Sequence, residues 1–393
     1  MYLNQLIGQG GDWVSWLVWI IFFMVFFMFY PRLMVSQIMW KLESSARRFE
    51  EMSANSRKFL TSEISKKPSK ETRESIDRFY EFYVIEPVSL DPYGIVKKLD
   101  YIIKNEKDRF KYFADQIAPH MDEERRANIQ MGFAAGIELH MVAKIVRHYV
   151  ELIKKTKSYQ IAMIIQMQLP LIERVAKALH AGTKALAKGE PIGDGIGPWM
   201  VVKLSGDERA VEIKDDEMMM AEKKIDGRRV FLMKAKGPGG RVGSPGKSVE
   251  KVIKKHKIAR MITIDAAAKL EGEVTGSVAE GVGIAMGGPG VERSYIEDAA
   301  VRHNIPMDSI IVKMSPEEAI TPMRKKMLKA LPKVEDSVKR SISRTKKNDR
   351  IIIIGVGNTN GVGNSRKDAE KTSDWVDKYE RSLLAKKKKK DKE

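Results

Sequence analysis

The chain has no cysteine among its 393 residues. That absence removes disulfides and thiolate metal sites and points to a reducing compartment. Histidine is scarce as well, with six in all. His120, His140, His148 and His180 show neither HxxxH nor HExxH spacing, so they read as structural residues of helices rather than metal ligands. No internal repeat is present. No aromatic–basic RNA-binding motif is present either, which argues against sequence-specific nucleic-acid recognition. Negative charge is in deficit: 70 Lys and Arg stand against 52 Asp and Glu, a formal net charge of +18. Such a surplus favours an anionic neighbour, either a lipid surface or an RNA.

Charge is missing altogether from Trp13 to Pro31, "WVSWLVWIIFFMVFFMFYP". Nineteen residues at about 1.5 Å each reach roughly 28 Å, the depth of a hydrocarbon core. Trp13, Trp16 and Trp19 at one end, with Tyr30 and Trp40 near the other, suit the two interfaces. No small-residue cleavage site follows, so the segment reads as a membrane anchor over 1–31. Arg32, Lys41, Arg47 and Arg48 follow it and no Lys or Arg precedes it. The positive-inside rule then places residues 32–393 in the cytoplasm of a single-pass protein of the cell membrane, with the N-terminus outside. A second apolar stretch, 159–179, is broken by Gln160, Gln166, Gln168, Pro170 and Glu173 and reads as a core helix.

Residues 32–72 read as a juxtamembrane helix with Ile38, Leu42, Phe49 and Met52 on one stripe, broken by "SKKPSKE" at 65–71. An all-α domain is expected over 73–188, with Asp91-Pro92 as a cap and first-turn proline. The segment "ALAKGEPIG" (185–193) marks its end. From 190 to 378, glycine becomes common and short apolar runs alternate with helical ones, as in an α/β domain with a parallel-rich sheet flanked by helices. Three runs read as strands ending in loops: 228–248, 259–269 and 350–365. Loops at the carboxyl ends of parallel strands gather on one sheet edge, where ligand sites form. The loop "GRVGSPGKS" approaches a phosphate-binding loop, with Gly243, Gly246, Lys247 and Ser248 as candidate phosphate contacts. Its spacing fails, because Arg241 stands where GxxxxGK[ST] needs glycine.

Several motifs fall in a telling order: "DGIGP" (194–198), "GPGGRVGSPGKS" (237–248), "TIDAAAK" (263–269), "VGIAMGGPGVERSYI" (282–296) and "SPEEAITP" (315–322). In this order they resemble the fold shared by hydrogenase maturation proteases and the germination endopeptidase of spore-forming bacteria. In the maturation proteases a strand reading G-x-G-N runs directly into the acidic glycine loop. Here "GVGNT" (355–359) follows all the other motifs, so the resemblance implies a circular permutation with the first strand moved late. It predicts strand 351–354 parallel within the sheet and Asn358 beside Asp194. The resemblance further implies peptide hydrolysis by two aspartates, Asp194 and Asp265. Paired carboxylates share a proton, one activating water while the other polarises the carbonyl. The same pair could hold a divalent metal, and the family grips nickel with carboxylates and a histidine. His303 is the only later histidine here. The plainer reading of Asp194 is a helix N-cap, and of Asp265 a strand-end residue binding loop amides. Arg241, Lys247, Glu280 and Arg293 would rim the same edge.

Thr321-Pro322 reads as the start of a basic helix whose apolar face is Met327, Leu331, Val334, Val338 and Ile342. Residues 321–350 hold 11 Lys or Arg against 3 Asp or Glu. The basic tail, 379–393, ends in "KKKKKDK", too polar to fold alone and suited to anionic lipid or a ribosome. Taken whole, the chain resembles an archaeal membrane-anchored family known as domain of unknown function 1512. The expected function is a membrane-tethered cytoplasmic peptide hydrolase. The alternatives are a non-catalytic scaffold for an anionic partner such as the ribosome, and a nucleotide-binding domain.

Overall fold

The computed structural model of the chain describes residues 11–82, 94–284, 286–287 and 290–390. Five helices come first: α1 (Gly11–Ile64), α2 (Lys70–Phe79), α3 (Ile95–Ile117), α4 (Glu123–Thr156) and α5 (Tyr159–Lys188). The N-terminal region is thus all-helical, as its periodicity predicts. Asp91 and Pro92 lie outside the described residues. The chain divides into two compact units, residues up to Ser53 with Leu139–Ala176, and Ala54–Glu138 with Lys177–Glu393. This division does not follow the boundary near 189. Helices α1, α4 and α5 have 54, 34 and 30 residues. At about 1.5 Å per residue they outrun a single compact unit, and each is shared between the two.

In the first unit the predicted stripe Ile38, Leu42 and Phe49 is buried, as are Val146, Val150, Ile153, Ile165 and Leu169. Arg147 donates to Glu43 at 2.7 Å and to Glu50 at 2.8 Å, and Lys154 pairs with Glu43 at 2.9 Å. The hydrogen bonds from Arg147 and Lys154 hold the Glu43 carboxyl down at about 2. The apolar helix Ser15–Phe27 carries its large side chains outward, with Trp16 70% and Met24 71% exposed. Among the described residues one helix, α4, is long and apolar enough to cross a membrane by length and composition, and half of its most apolar window is buried inside the protein.

The rest of the second unit is α/β. In chain order it holds α6 (Ile196–Ser205), β1 (Val211–Ile213), β2 (Met218–Ile225), β3 (Arg228–Ala235), α7 (Pro245–Lys255), β4 (Arg260–Ala268) and β5 (Val278–Val282). There follow α8 (Val291–His303), β6 (Met307–Met314), α9 (Pro316–Ile320), α10 (Lys325–Leu328), α11 (Leu331–Ser343), β7 (Arg350–Gly355) and α12 (Arg366–Lys390). The sheet is mixed, in the order β1-β2-β3-β7-β4-β6-β5. β7 lies in its centre, parallel to β3 and to β4, and β4 runs parallel to β6. β1, β2 and β5 join antiparallel at the two sides.

Four consecutive isoleucines suit a strand covered on both faces. Ile351 and Ile353 join the core beneath α6, α11 and α12, with Trp199, Val334, Val338 and Val376. Ile352 and Ile354 join the opposite core beneath α7 and α8, with Val249, Val252 and Ile296. The basic segment does not start a helix at Thr321-Pro322. Thr321 ends α9, which opens with a capping box at Ser315, and Pro322 bridges to Ile192. The helix begins instead at Leu331-Pro332, where proline again takes a first-turn position. The expected apolar face still packs on the sheet. The lysine-rich stretch also departs from expectation, because α12 continues to Lys390. Lysine is a good helix former, and cations at a helix C-terminus interact favourably with its dipole.

Candidate functional site

The "DGIGP" stretch forms a 3-10 turn at Gly193–Gly195 that runs into α6. A Cβ on Gly197 would clash with the carbonyl oxygens of Val356 and Ile264, so glycine lets α6 sit on the ends of β7 and β4. The "SPEEAITP" segment holds the turn from the other side, with Gly193 N donating to Thr321 O at 3.0 Å. Asp194 is not a helix cap. The N-cap position of α6 is Gly195, without a side-chain bond, while Asp194 Oδ2 accepts from Asn358 N at 2.7 Å. Asn358 Oδ1 in turn accepts from Asn360 N at 2.9 Å.

Asp265 stands near the carboxyl end of β4 and is 3% exposed. Its Oδ1 accepts from the amide of the next residue, Ala266, at 2.6 Å. Val356 N donates to Ile264 O at 2.9 Å, so the end of β7, the Asn358 turn and Asp265 meet at one edge. Burial raises the Asp194 carboxyl above the usual range, against the pull of the Asn358 amide. Asp265 is pushed well above that range, first by burial and then by the nearby charge of Asp194, with the Ala266 amide opposing. The two aspartates, read from the sequence as a pair, are therefore close enough to sense each other. Among the described residues neither is seen in an ion pair. Two like charges in a desolvated place are best relieved by sharing one proton.

Among the described residues, no group of three or more His, Cys, Asp and Glu side chains is placed to hold a metal ion. His303 is exposed at the C-terminal end of α8. Asp194 and Asp265 alone supply fewer protein ligands than a zinc-type site takes, and the carboxylate–histidine grip on nickel is not built here.

The candidate phosphate loop is occupied from within. Gly246 N donates to Glu292 Oε2 at 2.7 Å and Ser248 Oγ to Asp216 Oδ2 at 2.7 Å. Lys247 pairs with Asp100 at 3.3 Å, and Gly243 takes a φ of +62° where the loop turns into α7. Gly246, Lys247 and Ser248 thus bond to the protein's own carboxylates, and Gly243 sits at the turn. Arg241 is not on the rim: it is buried and holds Glu124 at 2.7 Å and Glu123 at 3.0 Å. Glu280 pairs with Arg340, and Arg293 with Glu297, both on the surface.

One residue at this edge was not singled out from the sequence. Lys234, near the end of β3, is 2% exposed and donates to Ala235 O at 2.8 Å and Asn364 Oδ1 at 2.9 Å. Burial pushes its ammonium down to about 7. Asn364 also brackets Gly237, accepting from its N at 2.9 Å and donating to its O at 2.6 Å. The available signal was a lysine inside the apolar run "VFLMKA", which forms a strand buried on both faces.

Two family models match the chain, a "Protein of unknown function (DUF1512) N-terminal domain" over 16–189 and a "Domain of unknown function (DUF1512) C-terminal" over 192–363. The chain belongs to the DUF1512 family. Asp194, Lys234, Asp265 and Asn358 all fall within the C-terminal domain of the family. The join between its two domains coincides with the "GEPIG" turn that marks a boundary in the sequence. No curated protein and no solved structure matches the chain.

Proposed function

We propose that the chain is a membrane-tethered cytoplasmic hydrolase of peptide bonds, with Asp194 and Asp265 as its acid–base pair. The observation that carries this reading is the approach of two carboxyls, seventy-one positions apart in sequence, each raised by burial and with no ion pair among the described residues. Asp265, pushed up further, is the protonated partner and donates its hydrogen to the substrate carbonyl oxygen. Asp194, fixed by the Asn358 amide, takes a proton from water as the water oxygen attacks the carbonyl carbon. The proton on Asp194 then passes to the leaving nitrogen as the C–N bond breaks, and the hydroxyl formed on the carbonyl oxygen returns its hydrogen to Asp265 as the C=O bond re-forms. The order of motifs and the central, parallel place of β7 support a permuted peptidase-like domain. The tether rests on the uncharged stretch 13–31, the outward-facing side chains of Ser15–Phe27 and the basic residues that follow.

The test is incubation of the full chain, in detergent, with unfolded β-casein, followed by mass spectrometry of newly formed termini. Cleavage is expected in the parent protein and not in Asp194→Asn or Asp265→Asn. Undiminished cleavage in both variants, or none in the parent, sinks the proposal. A second reading, a scaffold for an anionic lipid surface or a ribosome, rests on the lysines that end α12. It is the reading left standing if the aspartate variants change nothing. The occupied 243–248 loop argues against a nucleotide there.

A further inference from the structure

Strand β4 runs further than its neighbour β7. Its pairing with β7 ends at Ile264↔Gly355, whereas its pairing with β6 continues to Ala268↔Met314. In a parallel ladder the N–H and C=O of one residue point to the same side, and successive residues alternate sides. Met261 N and Lys269 N both donate towards β6, to Pro306 O and Met314 O, so the odd-numbered residues of β4 face β6. Ile264 O accepts from Val356 N, so the even-numbered residues face the lane of β7.

Past Ile264 no described strand continues that lane, and the turn into α6 lies against its start. The Ala266 amide is turned onto the Asp265 carboxylate, leaving Ala266 C=O with Ala268 N–H and C=O as an edge that no described strand completes. Buried or half-buried strand edges are normally paired or covered. Here the edge is open from Ala268, which is exposed, inward to the half-buried Ala266 and Ala267. Three alanines in a row follow the larger residues Arg, Met, Ile, Thr and Asp of the same strand, and their short side chains suit a closely approaching neighbour chain. Asp265 begins this stretch, with the Asp194 turn beside it.

We infer that the open edge of β4 at Ala266–Ala268 is the substrate-binding subsite, taking an extended peptide as an added strand in the lane of β7. Strand addition supplies affinity through main-chain bonds and tolerates many sequences. It also lays a peptide carbonyl against Asp265 without a deep pocket. The inference rests on the hydrolase reading for the use made of the site, and its test separates the two.

The probe is the set of peptides from a β-casein digest, offered to the full chain in detergent. In Asp265→Asn, used so that bound peptide persists, hydrogen exchange at the Ala268 amide should slow about tenfold or more when peptide is added. Ala268→Pro removes that N–H without touching the β6 ladder, and should raise KM about tenfold with little change in kcat. Ala267→Pro, which removes a β6 bond, should instead lower Tm. Protection at Ala268 without any turnover would keep the subsite and overturn the hydrolase. Turnover that Asp265→Asn abolishes, with Ala268 unprotected and KM unmoved in Ala268→Pro, would overturn the subsite and keep the hydrolase.

Discussion

Two glycine-rich turns in this domain look alike as sequence and behave oppositely as chemistry. The 243–248 loop opens α7 and spends its donors on Glu292, Asp216 and Asp100. The 193–197 turn opens α6 and does the reverse, bringing the half-buried Asp194 towards the buried Asp265 with no ion pair to either among the described residues. A polar network whose partners are all supplied from within is a stable structural feature. Carboxyls with raised affinity for protons hold potential for chemistry, at a cost to the fold.

That contrast can be broken most directly at the aspartates. Peptide cleavage by Asp194→Asn or Asp265→Asn is expected to fall roughly a thousandfold, measured as kcat/KM on casein. Stability should move the other way. A carboxyl whose folded-state pKa is raised stabilises the fold below its unfolded value, near 4, and loses that margin as pH climbs towards the folded value. Asp265→Asn should therefore melt higher than the parent at pH 7, and the difference should vanish at pH 3. Next in size, Arg241→Ala should cost about 3 kcal/mol in denaturant unfolding, because Glu124 loses a buried partner. Ser248→Ala should cost about 1–2 kcal/mol by leaving Asp216 to Lys251 alone, with kcat unchanged. The smallest effect is a pH trend. With its ammonium held down to about 7, Lys234 makes the fold more stable as pH rises from about 7 towards 10. Lys234→Met should therefore gain most over the parent at pH 6, and the gain should shrink by pH 9 in thermal melts.

Much of this was legible in the residues. The isoleucine run announces a strand buried on both faces, and β3 and β4 were read from similar apolar stretches. Asp194 and Asp265 were found through the order of short motifs, none of which is specific alone. β6 was not named, because "MDSIIVKM" lacks a glycine loop to draw attention to it. Lys234 was passed over because a lysine at a strand end ordinarily reaches water, and only the packing of the 357–364 turn over it prevents that. Helix starts were misplaced at Thr321 because a capping residue followed by proline fits several local structures, and the pairing of Pro322 with Ile192 decides among them. The sharing of α1, α4 and α5 between two compact units leaves no compositional mark, since helix length alone sets it.

The position of β7 also governs how the domain can be made. Ribosomes deliver β3, β4 and β6 well before the strand that separates β3 from β4. Until residue 355 emerges, the nascent sheet is two halves with facing raw edges, each a template for unwanted pairing. Closure is therefore a single late insertion, and Asp194 can meet the Asn358 amide only after that zip is drawn. A chain stopped before Arg350 would carry both carboxyls but neither β7 nor the amide that holds Asp194.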